Sequence, residues 1–248
     1  MNSTSSKSVL LGVTGSIAAY KACEIASQLV KAGYSVTVAL TESAQKFVGA
    51  ASFEGITHNR AIVQLFEPDQ NAAIDHVELA KEVDLFLIAP ASANSIAKAA
   101  LGLADDWISS AMLATTAPVL FAPAMNTNMY EHPATQANLE TLLKRGCLFV
   151  GPDSGVLACN TIGRGRMMEP AVVVEAARKL LETSRDLEGK RILITSGANH
   201  EPIDPVRFIG NRSSGKMGHA IAAEALRRGA KVTVVTGPAH VDPPAGAD

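Results

Sequence analysis

The stretch from Val9 to Lys21, Val-Leu-Leu-Gly-Val-Thr-Gly-Ser-Ile-Ala-Ala-Tyr-Lys, constrains the fold more than any other part of the chain. An apolar run rich in Val and Leu enters Thr14-Gly15-Ser16, and an alanine-rich helical pattern then continues to Ala32. That order predicts a strand, a tight turn and a helix. Gly15 can take a positive φ and has no Cβ, so backbone N–H groups can approach an anion there. Ser16 adds a hydroxyl at a helix N-terminus, whose dipole favours negative charge. The turn is expected to hold a phosphate, although a glycine-serine turn also caps helices that bind nothing.

Aliphatic strands recur at Val9 to Thr14, Ser35 to Leu40, Leu85 to Ala89, Val119 to Ala122 and Leu148 to Val150, with helical patterns between most of them. Such near-continuous apolar strands indicate a sheet covered on both faces, which predicts a doubly wound parallel α/β architecture. Ligands of such sheets sit beyond the carboxyl ends of the strands. The small polar residues fall there: Thr14-Gly15-Ser16, then Thr41-Glu42-Ser43, then Pro90-Ala91-Ser92-Ala93-Asn94, then Pro123 to Tyr130. The first turn carries Gly12-x-x-Gly15 in place of the G-x-G-x-x-G of dinucleotide binders, so a mononucleotide is expected. Ser92, Asn94 and Asn126 offer donors and acceptors to a flavin edge or to a substrate carboxylate and amide; the same residue types also serve as caps and turn formers.

Charge and composition exclude several classes. A formal net charge of −2 with no basic block argues against nucleic acid or an anionic membrane as partner. No apolar stretch approaches the roughly 18 residues of a membrane span. Cys23, Cys147 and Cys159 stand at unrelated spacings that make neither a disulfide framework nor a zinc site, and they fit a reducing cytosol. No metal site is expected, since none of the histidines forms a metal-spaced pair. The polar opening Met-Asn-Ser-Thr-Ser-Ser reads as a tail and not as a signal peptide.

Five segments in order give the chain a more specific likeness: Thr14-Gly-Ser-Ile-Ala-Ala-Tyr-Lys21, His76-Val-Glu-Leu-Ala80, Pro90-Ala-Ser-Ala-Asn94, Pro123-Ala-Met-Asn-Thr-Asn-Met-Tyr130 and Leu157-Ala-Cys159. Together they resemble the flavin-dependent cysteine decarboxylases, over roughly residues 6 to 189. The resemblance implies a Rossmann- or flavodoxin-like domain over residues 1–189, and FMN held by Gly15, Ser16, Ile17, Ser43, Ser92, Ala93, Asn94 and Met125. The reaction it implies is decarboxylation of 4′-phosphopantothenoylcysteine in coenzyme A biosynthesis. There the thiol-bearing carbon is oxidised to a thioaldehyde, carbon dioxide leaves to give an ene-thiolate, and hydride return makes the net change redox-neutral. His76 would carry a proton near neutral pH, helped by Asp75 beside it. Asn126 would hold the substrate carboxylate or amide, Met129 would pack along the pantothenoyl arm, and Cys159 would protonate the ene-thiolate. Arg164 and Arg166 would lower the Cys159 pKa and attract the substrate phosphate. Cys23 and Cys147 read as packing residues.

Three positions depart from the family pattern: Tyr130 where tryptophan is usual, Asn160 where glycine is usual and Arg164 where proline is usual. The glycine-rich segment around Cys159 reads as a flap over the site. Other activities of the family remain as alternatives: a peptidyl-cysteine decarboxylase, a flavin prenyltransferase, or a non-catalytic flavin-binding partner of another protein. Retention of both His76 and Cys159 argues against the last. The family also implies a homo-oligomer, a trimer or a dodecamer, in the cytoplasm.

A helix pattern from Ala171 to Ser184 and a charged linker, Arg185 to Lys190, precede a second βαβ unit, with strands at Arg191 to Thr195 and Lys231 to Thr236 around a helix from Gly215 to Arg228. Gly210-Asn-Arg-Ser-Ser-Gly-Lys-Met217 misses the phosphate-binding P-loop by its final Ser or Thr. Glu201 to Gly218 instead resembles the start of a phosphopantothenate-cysteine ligase domain, in which Arg207 and Asn211 would act on an acyl-cytidylate. A complete domain of that kind uses CTP and Mg2+. Residues 190–248 are short for one, and no ligase activity is expected from them alone.

Overall fold

The computed structural model describes residues 6–65, 75–156, 162–182 and 186–248, with the backbone alone at Asp75, His76, Val156 and Ile162. Two compact units divide the chain, Met1–Leu181 and Glu182–Asp248. In the first, β1 (Ser8–Val13), β2 (Ser35–Leu40), β3 (Leu85–Ala91), β4 (Val119–Pro123) and β5 (Leu148–Phe149) form one sheet in the order β2-β1-β3-β4-β5. Every neighbouring pair in it is parallel. Around it lie α1 (Tyr20–Lys31), α2 (Glu42–Gln45), α3 (Ala50–Thr57), α4 (Asp75–Glu82), α5 (Ala93–Leu101), α6 (Trp107–Ala114), α7 (Thr127–Glu131), α8 (Pro133–Lys144) and α9 (Pro170–Leu181).

The two-residue period of a strand sends alternate side chains into two separate cores. Val9, Leu11, Val13, Leu85, Leu87 and Ala89 pack with α1, α3 and α9 on one face. Leu10, Phe86 and Ile88 pack with α5, α6 and α8 on the other. Both faces are therefore covered, which is why these strands carry no polar alternate; β3, the central strand, is buried at every residue. Gly12 belongs to this packing: a Cβ there would lie 2.8 Å from Ile88 Cδ1. The doubly wound parallel sheet expected from the sequence is the observed architecture.

β1 has β2 on one side and β3 on the other, so the chain leaves neighbouring strand ends β1 and β3 in opposite directions. A crevice opens at such a switch point. Thr14, completely buried, fixes its floor: its Oγ1 donates to the Pro90 carbonyl at 2.7 Å and accepts from the Ser92 N–H at 2.9 Å. After β5 the chain forms an antiparallel hairpin of β6 (Asp153–Val156) and β7 (Ile162–Arg166), a pairing absent from the sequence reading. Asp153 pairs with Arg166 and Ser154 with Arg164, which leaves Gly165 as the extra residue of a bulge at φ +138°.

The second unit pairs β8 (Arg191–Ser196) in parallel with β11 (Lys231–Thr236) around α10 (Lys216–Arg227), as the sequence predicts. Between them, β9 (His200–Pro202) and β10 (Phe208–Gly210) form a hairpin where a loop is expected, with the His200 and Phe208 rings stacked at 3.9 Å. The segment expected as a linker is folded from Asp186 on: Leu187 packs against the small core, its N–H donates to the Arg228 carbonyl, and Asp186 pairs with Arg228. The helix before it ends at Leu181, short of the expected Ser184.

Candidate functional site

A cavity of about 700 Å³ lies in the crevice beyond β1, β3 and β4. Gly15, Ser16 and Ile17 line it from the first turn, Ser92 and Ala93 from the start of α5, and Met125, Asn126 and Met129 from the loop and helix after β4. Arg166 closes the wall from β7. Nine of the residues expected at the site on sequence grounds thus face one space.

The first turn forms as its residues dictate. Ser16 caps a short 3-10 turn, Ile17–Ala19, accepting from the Ala18 N–H at 3.3 Å, and α1 follows from Tyr20. Gly15 is needed for close approach and not for a positive φ: a Cβ would sit 2.5 Å from Ser43 Cβ. Ser92 caps α5 in the same manner, accepting from the Ser95 N–H. Two capped helical starts thus meet at the crevice, and their leading N–H groups suit an anion. Ile17, Tyr20 and Met129, each at least half exposed, give the cavity an apolar rim.

Asn126 caps α7 with its Oδ1, which accepts from the Asn128 N–H at 2.9 Å. Its loop is held on two sides. The Ala124 N–H donates to the Ala91 carbonyl at 3.0 Å, and the Met125 N–H donates to the Gly165 carbonyl at 2.9 Å. The bulge of β7 supplies that second bond by freeing the Gly165 carbonyl from the hairpin ladder.

Three expected residues of the first unit with described side chains lie off the cavity lining. Ser43 packs behind Gly15, Asn94 is exposed in the first turn of α5, and Arg164 sits with its guanidinium carbon 5.4 Å from the centre of the Tyr130 ring. The two departures from the family pattern at Tyr130 and Arg164 therefore touch each other. Cys159 and Asn160 lie outside the described residues. The backbone of His76 is in the first turn of α4. Arg207 and Asn211 belong to the second unit, where Arg207 is paired with Asp204 and the Asn211 Oδ1 accepts from the Ser213 N–H. Burial pushes the thiols of Cys23 and Cys147 up, as suits packing residues.

Sequence reading missed Lys21 and Glu169. Lys21 lines the cavity with a nearly buried side chain and donates to Glu169 Oε2 at 3.1 Å. Arg166 bonds the other oxygen, Oε1, at 2.5 Å. The hydrogen bond and charge of Lys21, reinforced by Arg166, hold the Glu169 carboxyl below the usual carboxylate range. Lys21 stood out in one respect: it falls on the buried stripe of α1 with Ala22, Ile25, Ala26 and Leu29. A charge within an apolar stripe requires a partner.

The family model described as Flavoprotein matches residues 1–182. The chain belongs to the flavoprotein family. Residues 187–248 match a second model, the DNA/pantothenate metabolism flavoprotein C-terminal domain. Among relatives of this flavoprotein, the coenzyme A biosynthesis bifunctional protein CoaBC of Bacillus subtilis (strain 168) is 46% identical over 97% of the chain, and its Escherichia coli (strain K12) counterpart 48% over 98%. The chain spans 60% of the length of each. Among solved structures, a PPC decarboxylase mutant complexed with pantothenoylaminoethenethiol aligns at a TM-score of 0.63 and 28% identity, covering 71% of this chain and 99% of that one. The FMN binding protein AtHal3 aligns at 0.61 and 29%, covering 72% and 98%. The parallel five-stranded sheet of this chain is a flavodoxin-like arrangement, and it is the fold these alignments match.

Proposed function

We propose that the first unit binds FMN and decarboxylates 4′-phosphopantothenoylcysteine to 4′-phosphopantetheine. The observation that carries the reading is the single cavity that unites the Gly15-Ser16 turn, the capped start of α5 and the Asn126 loop. It is supported by the coenzyme A biosynthesis relatives and by the PPC decarboxylase among the similar structures.

The residues fit the cofactor. Gly15 leaves no space for a side chain, so an anion meets backbone N–H groups there, and the apolar rim suits a flat ring system. Gly15, Ser16, Ile17, Ser92, Ala93 and Met125 would hold FMN, with Ser43 and Asn94 supporting from behind the first turn and from α5. Bound FMN supplies a reversible two-electron oxidant for the thiol-bearing carbon, which makes loss of carbon dioxide feasible. Asn126, held by its cap bond, presents an amide to the substrate's carboxylate or amide. Met129 lies along the apolar arm, and Arg166 presents positive charge to an anionic group of the guest. His76 and Cys159 are assigned proton transfer by their match to the family motifs, Cys159 returning the proton to the ene-thiolate.

The domain over residues 1–189 would do this work, in the cytoplasm, as a homo-oligomer; the exposed Ile17, Tyr20 and Met129 at the cavity rim suit coverage by a second copy. Residues 190–248 would be the N-terminal part of a phosphopantothenate-cysteine ligase domain, with Arg207 and Asn211 turned toward its substrate, in keeping with the C-terminal domain match. The test is an absorption spectrum of the purified protein with a carbon dioxide assay on phosphopantothenoylcysteine. A flavin spectrum with carbon dioxide release is expected; colourless protein that takes up no added FMN overturns the reading. Cys159→Ser is expected to release carbon dioxide without forming phosphopantetheine, and His76→Asn to be yellow and inert.

A further inference from the structure

We propose that Glu169 is a positioning residue of the cavity: its carboxylate locks Lys21 of α1 and Arg166 of β7 into one coupled cationic pair that receives an anionic group of the guest. The inference rests on the proposed function for the identity of that guest and on geometry for the coupling. Glu169 Oε2 takes the Lys21 ammonium at 3.1 Å and Oε1 takes the Arg166 guanidinium at 2.5 Å. One carboxylate thus spans two walls, the helix that follows the glycine turn and the strand whose Gly165 carbonyl holds the Asn126 loop.

Both cations line the cavity, whereas Glu169 does not. Two positive charges and one negative leave the trio with a net charge of +1, so the wall attracts one more anion. The Lys21 side chain is only 10% exposed, and a buried ammonium is held in place by the partner that compensates it. Arg166, at 44%, has freedom to lose, and the fork of Glu169 removes it. A guest anion therefore meets two donors already in place and is spared the ordering of a long side chain.

The coupling has a signature that two independent charges lack. In the full chain, Lys21 acetylation by an N-hydroxysuccinimide ester, read by peptide mass spectrometry against the exposed Lys31 of the same helix, is expected to rise about fivefold in Glu169→Gln. It should rise in Arg166→Met as well, because loss of the guanidinium loosens the carboxylate that covers Lys21. In the flavin-loaded chain, Lys21→Met and Arg166→Met are each expected to raise KM for phosphopantothenoylcysteine about tenfold with less change in kcat, and together far less than the ~100-fold of independent sites. Glu169→Asp, too short to bridge both, should lie between wild type and Glu169→Gln. Repeating the cycle with pantothenoylcysteine separates the sources of the anion: effects that persist belong to the carboxylate, and effects that vanish belong to the phosphate. Lys21 labelling unmoved by Arg166→Met, or KM effects that multiply, overturns the proposal. Coupled labelling in a protein that releases no carbon dioxide overturns the substrate assignment and, with it, only the guest's identity.

Discussion

At the scale of single residues, the site depends on what is missing from Gly15. Its ideal Cβ position lies 2.5 Å from Ser43 Cβ, with the Ser43 backbone carbon next at 3.5 Å, so an added methyl group must part the first turn from the segment after β2. Overpacking of this kind costs about 1–3 kcal/mol. Charged against ligand affinity, that is roughly a 5- to 150-fold loss. Gly15→Ala is therefore expected to weaken FMN binding by at least about fivefold, measured by quenching of FMN fluorescence. FMN bound as tightly as by wild type would show that the turn does not cradle the phosphate. Gly15 and Ser16 could be found by eye because a strand-turn-helix is local. Lys21 and Glu169 could not be paired, because no spacing connects helix α1 to the residue before α9; only the tertiary fold brings them within 3.1 Å.

At the scale of elements, β1 to β4 were legible because burial on both faces leaves near-continuous aliphatic runs. Ser35–Leu40 and Lys231–Thr236 have the bounds the pattern predicts. The β6 and β7 hairpin was not legible, since Ile162-Gly-Arg-Gly-Arg166 has neither alternation nor β-branched repetition and reads as loop. Its purpose emerges only in three dimensions. The bulge at Gly165 turns a carbonyl out of the hairpin to meet the Met125 N–H, and a Cβ at Gly165 would lie 2.3 Å from the Met125 oxygen. Gly165→Ala meets that clash in addition to a φ of +138°, whereas Gly146→Ala, at φ +86° with nothing within 4 Å, meets backbone strain alone. Strain of either kind is about 1–3 kcal/mol. Both variants are expected to lower Tm, by several degrees, but only Gly165→Ala should also raise KM, through the displaced Asn126 loop. Equal KM in the two variants would show that the hairpin does not set that loop.

At the scale of the whole molecule, both units carry carboxylates held below their usual range by partners made on folding. In the first, Lys21 acts on Glu169, Lys98 on Asp105 and Lys144 on Glu140; in the second, backbone N–H and Arg207 donors act on Asp204, and Arg227 acts on Glu224. A carboxyl whose folded pKa is depressed binds its proton more readily when unfolded, so its contribution is complete above the usual values of 3.8 and 4.5 and is lost as the pH falls through the folded ones. Urea midpoints followed by circular dichroism should accordingly hold level down to about pH 5 and decline below it. A midpoint that stays level to pH 3 would mean these pairs contribute nothing. The cores of the two units are separate in composition: both clusters flanking the main sheet draw on Val9 to Leu181, and the small third cluster on Leu187 to Val234. Every residue lining the cavity lies between Gly15 and Met167. A chain ending at residue 189 thus retains each side chain that the flavin site uses and the whole of the core beneath them. It is expected to purify yellow, with an FMN affinity within about twofold of the 248-residue chain, a difference under 0.5 kcal/mol. A colourless product that regains flavin only when residues 190–248 are restored would mean that the second unit completes the site, and the division of labour between the two would have to be redrawn.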